Sequence, residues 1–364
     1  MPFEAGFDFE EAEQCLALSA NVETNTPTMS TEEEAKNSLK SNIGAASSQN
    51  SWVPCVPDID DWEIVVNPTE SIGLDNYWRL YRCRSNPARY AAATRGTVAT
   101  AKSVLADLLV EVIKAKSAVQ IRESDGVPGY RFEFTLAEAP YAGVHLGFTY
   151  SLGALINPNW DFALLKHMQT AVDQGAKEFF ITGHSQGAAM ATLLRSYLHY
   201  QRLGDDISYK TYVFAQPKPG NDYLANDFDQ LFATPGMAYR LTNSLDWVPQ
   251  VPLTLELLSD MNTPNPISAI PWLLIKLLER SFACITRFLF SRGDSHPTLK
   301  DSVADEHRLS LGRDLLTLNY LAAANPIALA GDPAIGEEHP GDMFAQHHLG
   351  VYWELMQKIL KPGG

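Results

Sequence analysis

Ser185 is the central residue of a pentapeptide, Gly-His-Ser-Gln-Gly, which fits the pattern G-x-S-x-G. The segment before it, KEFFIT, is short and apolar and predicts a β-strand, whereas the segment after it places Met190, Leu193 and Leu194 on one side of a predicted helix. At such a turn from strand to helix, a serine hydroxyl is held out at the end of a sheet, where it can attack a carbonyl carbon. A chance match is the alternative, and the strand and helix on either side argue against it.

Attack by a serine hydroxyl requires a general base that a carboxylate holds in orientation. With a nucleophile at this type of turn, the acid and then the histidine follow the serine along the chain. Asp246 comes after a strand-like stretch that ends at Asn243, and the neighbours His347 and His348 come just before a final amphipathic helix. The residue order therefore predicts Asp246 as the orienting acid and leaves both histidines open as the base.

The attack also places negative charge on the carbonyl oxygen, and this oxyanion needs hydrogen-bond donors. In this motif the backbone N–H of the residue after the nucleophile is one of them, so Gln186 is predicted as a donor. Because Gln186 begins the predicted helix, the positive end of the helix dipole points at the same oxygen. The segment around Ser185 therefore predicts one hydrogen-bond donor of an oxyanion hole.

These residues need a framework that brings distant segments to one edge of a sheet. The residues from Leu164 to Val172 predict a helix, and KEFFIT predicts the strand that follows it. After the helix that follows Ser185, the residues SYKTYVFA from Ser208 predict another strand. Alternating strands and helices predict an α/β fold, in which helices cover both faces of a mostly parallel central sheet.

Composition limits the classes of function. The chain has 364 residues, of which 45% are hydrophobic, and a formal net charge of -15 at pH 7. Such an acidic chain lacks the basic surface that nucleic acids require, so no nucleic-acid partner is expected. The four cysteines are scattered without a C-x-x-C pair, so the sequence indicates neither a zinc site nor a disulfide framework. Oligomeric state is left open.

The N-terminal residues differ in composition from the rest. Residues 1–50 contain nine acidic and two basic side chains, and from Asn21 to Ser51 they are mostly Asn, Ser, Thr and Glu. We predict a flexible acidic tail over 1–50 and one domain over 51–364. Because acidic residues stand where a secretory signal needs positive charge, a cytoplasmic location is predicted. Export by a route that reads no N-terminal signal is left open.

Five segments in order resemble the class 3 lipases, a family of α/β-hydrolases. They are RGT at 95–97, VHLGF at 144–148, TGHSQGAAMATL from Thr182, FAQPKPGN at 214–221 and YRLTNSLDWVPQVP from Tyr239. The resemblance runs from about Arg89 to Tyr352. It implies an α/β-hydrolase fold and the hydrolysis of carboxylic esters, with no cofactor and no metal.

The resemblance also implies roles for individual residues. Ser185 corresponds to the nucleophile, and Asp246 lies in the family's N-x-x-D-x-V-P pattern as the acid. His347 is favoured as the base because HHLGVY reads as H-x-L-x-x-Y with Tyr352 in register, and His348 remains the alternative. Thr97 of RGT is implied as the second oxyanion donor, beside Gln186.

One segment departs from the family pattern. Residues 253–305 interrupt the expected fold, and from Pro271 they predict a helix with Lys276, Arg280 and Arg287 on one narrow face. This helical insertion is either a lid that contacts a lipid interface through residues 271–290, or a buried helix or subunit contact. Residues 98–140 are a second candidate for a lid.

These observations predict a serine hydrolase that cleaves ester bonds of acyl lipids, such as acylglycerols, through an acyl-serine intermediate. A phospholipase or an acyltransferase with the same three residues is an alternative, because the pocket and not the triad sets the substrate. A lipid-binding protein with a degenerate site is an alternative of a different class.

Overall fold

The computed structural model describes residues 3–23, 52–96, 112–124, 126–252 and 320–361. The predicted insertion at 253–305, with the lipid contact at 271–290, lies outside these residues. Thr97 also lies outside them. Among the described helices, none is both long and apolar enough to cross a bilayer.

Seven strands of the described ranges form a central sheet, and all strands are numbered along the chain. In spatial order they are β1 (Trp62–Val66), β2 (Trp78–Cys83), β3 (Arg89–Thr94), β8 (Glu178–His184), β9 (Ser208–Phe214), β11 (Ala238–Asn243) and β13 (Asn325–Leu329). β2 is antiparallel to both β1 and β3, whereas the strands from β3 to β13 are parallel neighbours. This confirms the predicted mostly parallel sheet.

Strand β8 lies inside the sheet, and all seven of its residues are buried. Successive side chains of a strand point to opposite faces, so Phe179 and Ile181 pack in one apolar layer and Phe180 packs in the other. A parallel strand covered on both faces is apolar throughout, which explains the unbroken run in KEFFIT. Packing on both faces therefore fixes the position of the strand that leads to Ser185.

Helices cover both faces of the sheet, as predicted. On one face lie α2 (Leu146–Leu155), α3 (Leu164–Asp173) and α4 (Gln186–Tyr200), and on the other lie α1 (Phe9–Glu23) and α7 (Leu349–Ile359). Two short helices, α5 (Asp222–Phe228) and α6 (Pro333–Glu338), complete the α-helices of the described ranges. Apolar side chains on the inner faces of the helices bury the sheet, which is the largest favourable term in the stability of such a domain.

Helix α1 corrects the prediction of a flexible tail over residues 1–50. Cys15, Leu16 and Leu18 of this helix are fully buried against the sheet, and Ser19 Oγ lies 3.0 Å from Thr182 Oγ1 of β8. The residues around this segment are mostly polar, but the segment itself contains a short apolar stretch, CLALSANV. This stretch buries enough apolar surface to order the helix. The remainder of the predicted tail, residues 24–50, lies outside the described residues.

Smaller sheets flank the central one. Four short strands pair antiparallel in the order β12 (Tyr320–Leu321), β10 (Gly220–Asn221), β7 (Gly143–His145) and β4 (Val112–Lys114). β5 (Lys116–Ile121) and β6 (Tyr130–Thr135) form a hairpin, with Phe132 and Phe134 in the core. The described part of the second lid candidate, 98–140, is therefore strand and turn, and residues 98–111 of it lie outside the description.

Candidate active site

Ser185 lies at a sharp turn between β8 and α4. Its φ is 56° and its ψ is -130°, a backbone conformation that non-glycine residues rarely adopt. The backbone N–H of Ser185 donates to the carbonyl of Phe214 at the end of β9, with a distance of 3.0 Å. The turn is thus held in place by the neighbouring strand, and it matches the strand, turn and helix context predicted for G-x-S-x-G.

The two glycines of the pentapeptide allow the close packing that this turn requires. A Cβ on Gly183 would lie 2.5 Å from the carbonyl oxygen of Gly187, and a Cβ on Gly187 would lie 2.2 Å from the carbonyl oxygen of Thr94. Both distances are far shorter than van der Waals contact. Strand β3, strand β8 and the first turn of α4 therefore approach each other too closely for any side chain at these positions.

A Gly187→Ala variant is expected to be strongly destabilised, by about 3 kcal/mol or more, because its methyl group overlaps a backbone carbonyl that cannot rotate away. Urea unfolding measures this loss. Gly336→Ala is the matched control: it lies in α6, where a Cβ would have no neighbour within 4 Å, and it should raise stability slightly. Equal stability of Gly187→Ala and the wild type would contradict the packing of this turn.

Gln186 is the first residue of α4 and follows Ser185 directly. The first N–H groups of a helix have no partner within the helix, so the amide of Gln186 is available to an acceptor at this end. Its side chain turns to α2, where Nε2 donates to Ser151 Oγ at 3.2 Å. The side-chain contact orients the residue and leaves its backbone amide at the helix N-terminus.

Asp246 and His347 are in direct contact, although they are far apart in sequence. Nδ1 of His347 lies 2.7 Å from Oδ2 of Asp246, and both side chains are fully buried. The same oxygen accepts a hydrogen bond from the Tyr352 hydroxyl at 2.8 Å, while Oδ1 accepts from the Val248 N–H at 3.0 Å. The carboxylate is therefore held on both oxygens, and the predicted acid orients one of the two predicted bases.

These contacts determine where His347 carries its proton. Because a carboxylate oxygen only accepts hydrogen bonds, Nδ1 of His347 is the protonated nitrogen and Nε2 of the neutral ring is an acceptor. Nε2 is buried and makes no hydrogen bond within the described ranges. Burial lowers the pKa of His347, the charge of Asp246 opposes this, and His184 lowers it further. The neutral ring, which can accept a proton, is favoured.

His348 has a different partner. Its Nε2 lies 2.7 Å from Oδ2 of Asp342, and its ring stands edge-on to Trp52 with the ring centroids 5.5 Å apart. Although burial raises the pKa of Asp342, the hydrogen bond from His348 and the charge of that ring hold it below its usual value. The structure thus places the alternative histidine in a separate pair and does not bring it to Asp246.

The carboxyl edge of the sheet brings the predicted residues together. Ser185 follows β8, Asp246 follows β11, and Gly96 follows β3 so closely that a Cβ on it would lie 3.3 Å from the Cβ of Ser185. His347 lies beside this edge, because its carbonyl oxygen is 3.0 Å from Nε2 of His184. Thr97, the other predicted donor, follows Gly96 directly but lies outside the described residues.

Sequence reasoning missed two residues at this site. His184 has its ring centroid 4.4 Å from that of His347, and its Nδ1 lies 3.0 Å from Oε1 of Glu23. His184 stands inside the pentapeptide, so its position was a signal, but no role was assigned to it. Glu23 gave no signal, because it lies in the segment predicted to be flexible.

The fold is that of the α/β-hydrolases. The crystal structure of M37 lipase superimposes with a TM-score of 0.51 and 16% sequence identity over 96% of this chain and 90% of that chain. This likeness confirms the fold predicted from the sequence.

The sequence itself is also similar to a known family. The family described as lipase (class 3) matches residues 91–256, which is less than half of the chain. The match includes Ser185, Gln186 and Asp246 and ends before His347. The resemblance predicted from the five segments is confirmed.

Relatives with curated names are similar over a short stretch. A secreted mono- and diacylglycerol lipase, LIP4, of Malassezia restricta is 43% identical over 75 residues, which cover 21% of this chain and 24% of that protein. Secreted mono- and diacylglycerol lipase 1 of Fusarium solani is 37% identical over 75 residues, which cover 21% of this chain and 20% of that protein. Each match therefore spans a quarter of the relative's length or less.

The names of these relatives correct one prediction. They are secreted lipases, so the predicted cytoplasmic location is wrong. That prediction rests on the residue types at the N-terminus alone.

Proposed function

We propose that this protein is a serine hydrolase that cleaves carboxylic ester bonds of acyl lipids, most simply acylglycerols, through an acyl-serine intermediate. The observation that carries the proposal is the buried His347–Asp246 pair, with 2.7 Å between Nδ1 and Oδ2, at the edge of the sheet where Ser185 stands in its strained turn. The pair leaves Nε2 of His347 as the acceptor for a proton from the serine. The names of the relatives support a glyceride as the substrate and action outside the cell.

In the first step, Oγ of Ser185 attacks the ester carbonyl carbon while Nε2 of His347 takes the hydroxyl proton. Asp246 stabilises the imidazolium that forms, and the backbone N–H of Gln186 donates to the oxyanion. Thr97 is proposed as the second donor, on the basis of the family resemblance. The tetrahedral intermediate then collapses, the C–O bond to the alcohol breaks, and the imidazolium returns the proton to the leaving alkoxide.

In the second step, water attacks the carbonyl carbon of the acyl-serine and gives its proton to Nε2 of His347. The bond to Ser185 Oγ breaks, the serine regains a proton from the imidazolium, and the carboxylic acid leaves. We propose that Oγ of Ser185 and Nε2 of His347 reach hydrogen-bond distance in the complex with substrate, as is common for catalytic hydrogen bonds.

We also propose that the hydrolase domain comprises residues 51–364 with α1, and that residues 271–290 contact lipid.

A fluorophosphonate probe tests the reaction class, because it phosphonylates only an activated serine. Mass spectrometry of the labelled protein is expected to find the adduct on Ser185. Purified protein is then assayed against mono-, di- and triacylglycerols of graded chain length, a phospholipid, and an ester with added acceptor alcohol. Release of acid from acylglycerols is the expected result. Phospholipid cleavage or net acyl transfer would reassign the substrate, and lipid binding without labelling would contradict hydrolysis.

The pKa of His347 predicts the acid side of the pH profile. Because burial favours the neutral ring, His347 stays unprotonated as the pH falls to its ordinary pKa of about 6.5. Activity is therefore expected to be retained at pH 6.5 and lost at lower pH, where the ring binds a proton. The pH dependence of kcat/KM measures this, with a thermal unfolding curve at each pH as the control. A midpoint above about 6.5 in a folded protein would contradict the assignment.

A further inference from the structure

Glu23, the last residue of α1, has its carboxylate buried beside the turn that carries Ser185. The residue is 7% exposed, and Oε2 is buried without a hydrogen bond to any described residue. The negative end of the helix dipole lies at this end of α1, so a carboxylate here opposes the helix that it ends. Burial adds the desolvation cost of the charge. Local stability therefore does not explain a glutamate at this position.

The hydrogen bonds of His184 determine how many protons this pair holds. Its Nε2 lies 3.0 Å from the carbonyl oxygen of His347, which only accepts, so Nε2 carries a proton. Its Nδ1 lies 3.0 Å from Oε1 of Glu23, and this contact needs one further proton. The pair is thus an imidazolium with a carboxylate, or an imidazole with a carboxylic acid. In both forms Glu23 allows Nε2 to donate.

The donated hydrogen bond joins two segments of the active site. His184 is the neighbour of Ser185 in the turn after β8, and His347 ends the short 3₁₀ turn Ala345–His347 before α7. The bond from Nε2 of His184 therefore fixes the backbone of the base relative to the backbone of the nucleophile. Asp246 and Tyr352 hold the ring of His347 from its other side. A small displacement of reacting groups is sufficient to cost about 10²-fold in rate.

We propose that Glu23 is a positioning residue of the proposed hydrolase: through His184 it holds the backbone carbonyl of His347 and so keeps the imidazole in register with Ser185. This inference rests on the proposed function. It makes helix α1 part of the active site, because α1 supplies the carboxylate that contacts His184. Glu23 acts through His184 and contacts no substrate.

Glu23→Leu tests the proposal, because it fills a similar volume and removes every hydrogen bond from this side chain to Nδ1 of His184. We expect kcat for a soluble ester to fall by about 10- to 100-fold with KM within about twofold, since the change affects alignment and not substrate binding. The rate of fluorophosphonate labelling should fall in parallel. Glu23→Asp, which restores a carboxylate at a shorter reach, should recover part of the loss.

Glu13→Leu is the matched control. Glu13 lies on the same helix and accepts hydrogen bonds from Trp353 and Gln357 of α7, so its replacement weakens the packing of α1 without altering the contact to His184. We expect its kcat to stay within about twofold of the wild type. An equal loss of kcat in Glu13→Leu and Glu23→Leu would overturn the proposal, since it would mean that α1 acts only by packing. A folded Glu23→Leu with wild-type kcat would overturn it as well.

A second measurement does not depend on activity. In the wild-type protein, ¹H–¹⁵N spectra of the histidine rings should show Nε2 of His184 protonated, and an unprotonated Nε2 would overturn the proposal even where Glu23→Leu fails to fold. Failure of the proposed function has a different signature: the wild type would neither hydrolyse esters nor react with the fluorophosphonate. If the wild type reacts and Glu23→Leu reacts equally fast, only the role of Glu23 is refuted.

Discussion

Replacement of His347 by alanine is expected to lower kcat by about 10⁴- to 10⁶-fold, while replacement of His348 changes it by less than about tenfold. The two histidines are neighbours in sequence, but only the ring of His347 contacts Asp246, at 2.7 Å, whereas His348 contacts Asp342 at the same distance. Loss of His347 removes the proposed acceptor of the serine proton. Loss of His348 removes a contact that supports a loop.

The experiment needs a control for folding, because His347 is wholly buried and alanine leaves a cavity. His347→Gln fills most of that volume but cannot act as a general base, so it should be as inactive as His347→Ala and more stable. kcat with a soluble ester and the rate of fluorophosphonate labelling are measured for each variant, together with its thermal unfolding. Activity that survives in His347→Ala and disappears in His348→Ala would show that the base is His348.

Replacement of Ser185 by alanine or by glycine is expected to abolish hydrolysis and labelling, with a loss in kcat of about 10⁶-fold. Alanine and glycine both remove the nucleophilic oxygen and leave the oxyanion donors in place. The two variants differ in stability, however, because the φ of 56° at this position strains any residue with a Cβ. Ser185→Gly should therefore be more stable than Ser185→Ala by about 1 kcal/mol, after the greater freedom of glycine in the unfolded chain is subtracted.

Activity assays and urea unfolding of these two variants report on separate properties. Residual hydrolysis in Ser185→Ala would show that another group is the nucleophile. Equal stability of the two variants would show that the turn carries no strain, even if Ser185 is catalytic. The expected combination, two inactive variants of which the glycine variant is the more stable, is typical of sites where function keeps a residue in an unfavourable conformation.

The sequence was sufficient for the nucleophile turn because its signals are local. Gly183, Ser185 and Gly187 lie within five residues, and the strand before them and the helix after them have clear apolar patterns. The order of Asp246 and the two histidines added the partners, since parallel strands end at the same edge. Residue types and spacing therefore predicted the fold class and the elements that carry the proposed catalytic residues.

The choice between His347 and His348 needed the tertiary structure. A difference of one position in sequence cannot be resolved by a motif whose spacing varies, but it turns the side chain to another side of the backbone. The backbone at His348 is extended, with φ of -62° and ψ of 136°, so the two rings point to different carboxylates. Only the packing of α7 on the sheet decides which ring meets Asp246.

The contact between Glu23 and His184 could not be predicted from sequence patterns. Glu23 is 161 positions from His184, and the polar residues around it predict a flexible segment, so neither spacing nor composition connects the two. Local pattern determined the turn, the sheet and the order of the reacting residues, because these depend on neighbours along the chain. The tertiary structure decided which histidine is oriented and which buried carboxylate supports it, because long-range contacts arise only when the helices pack on the sheet.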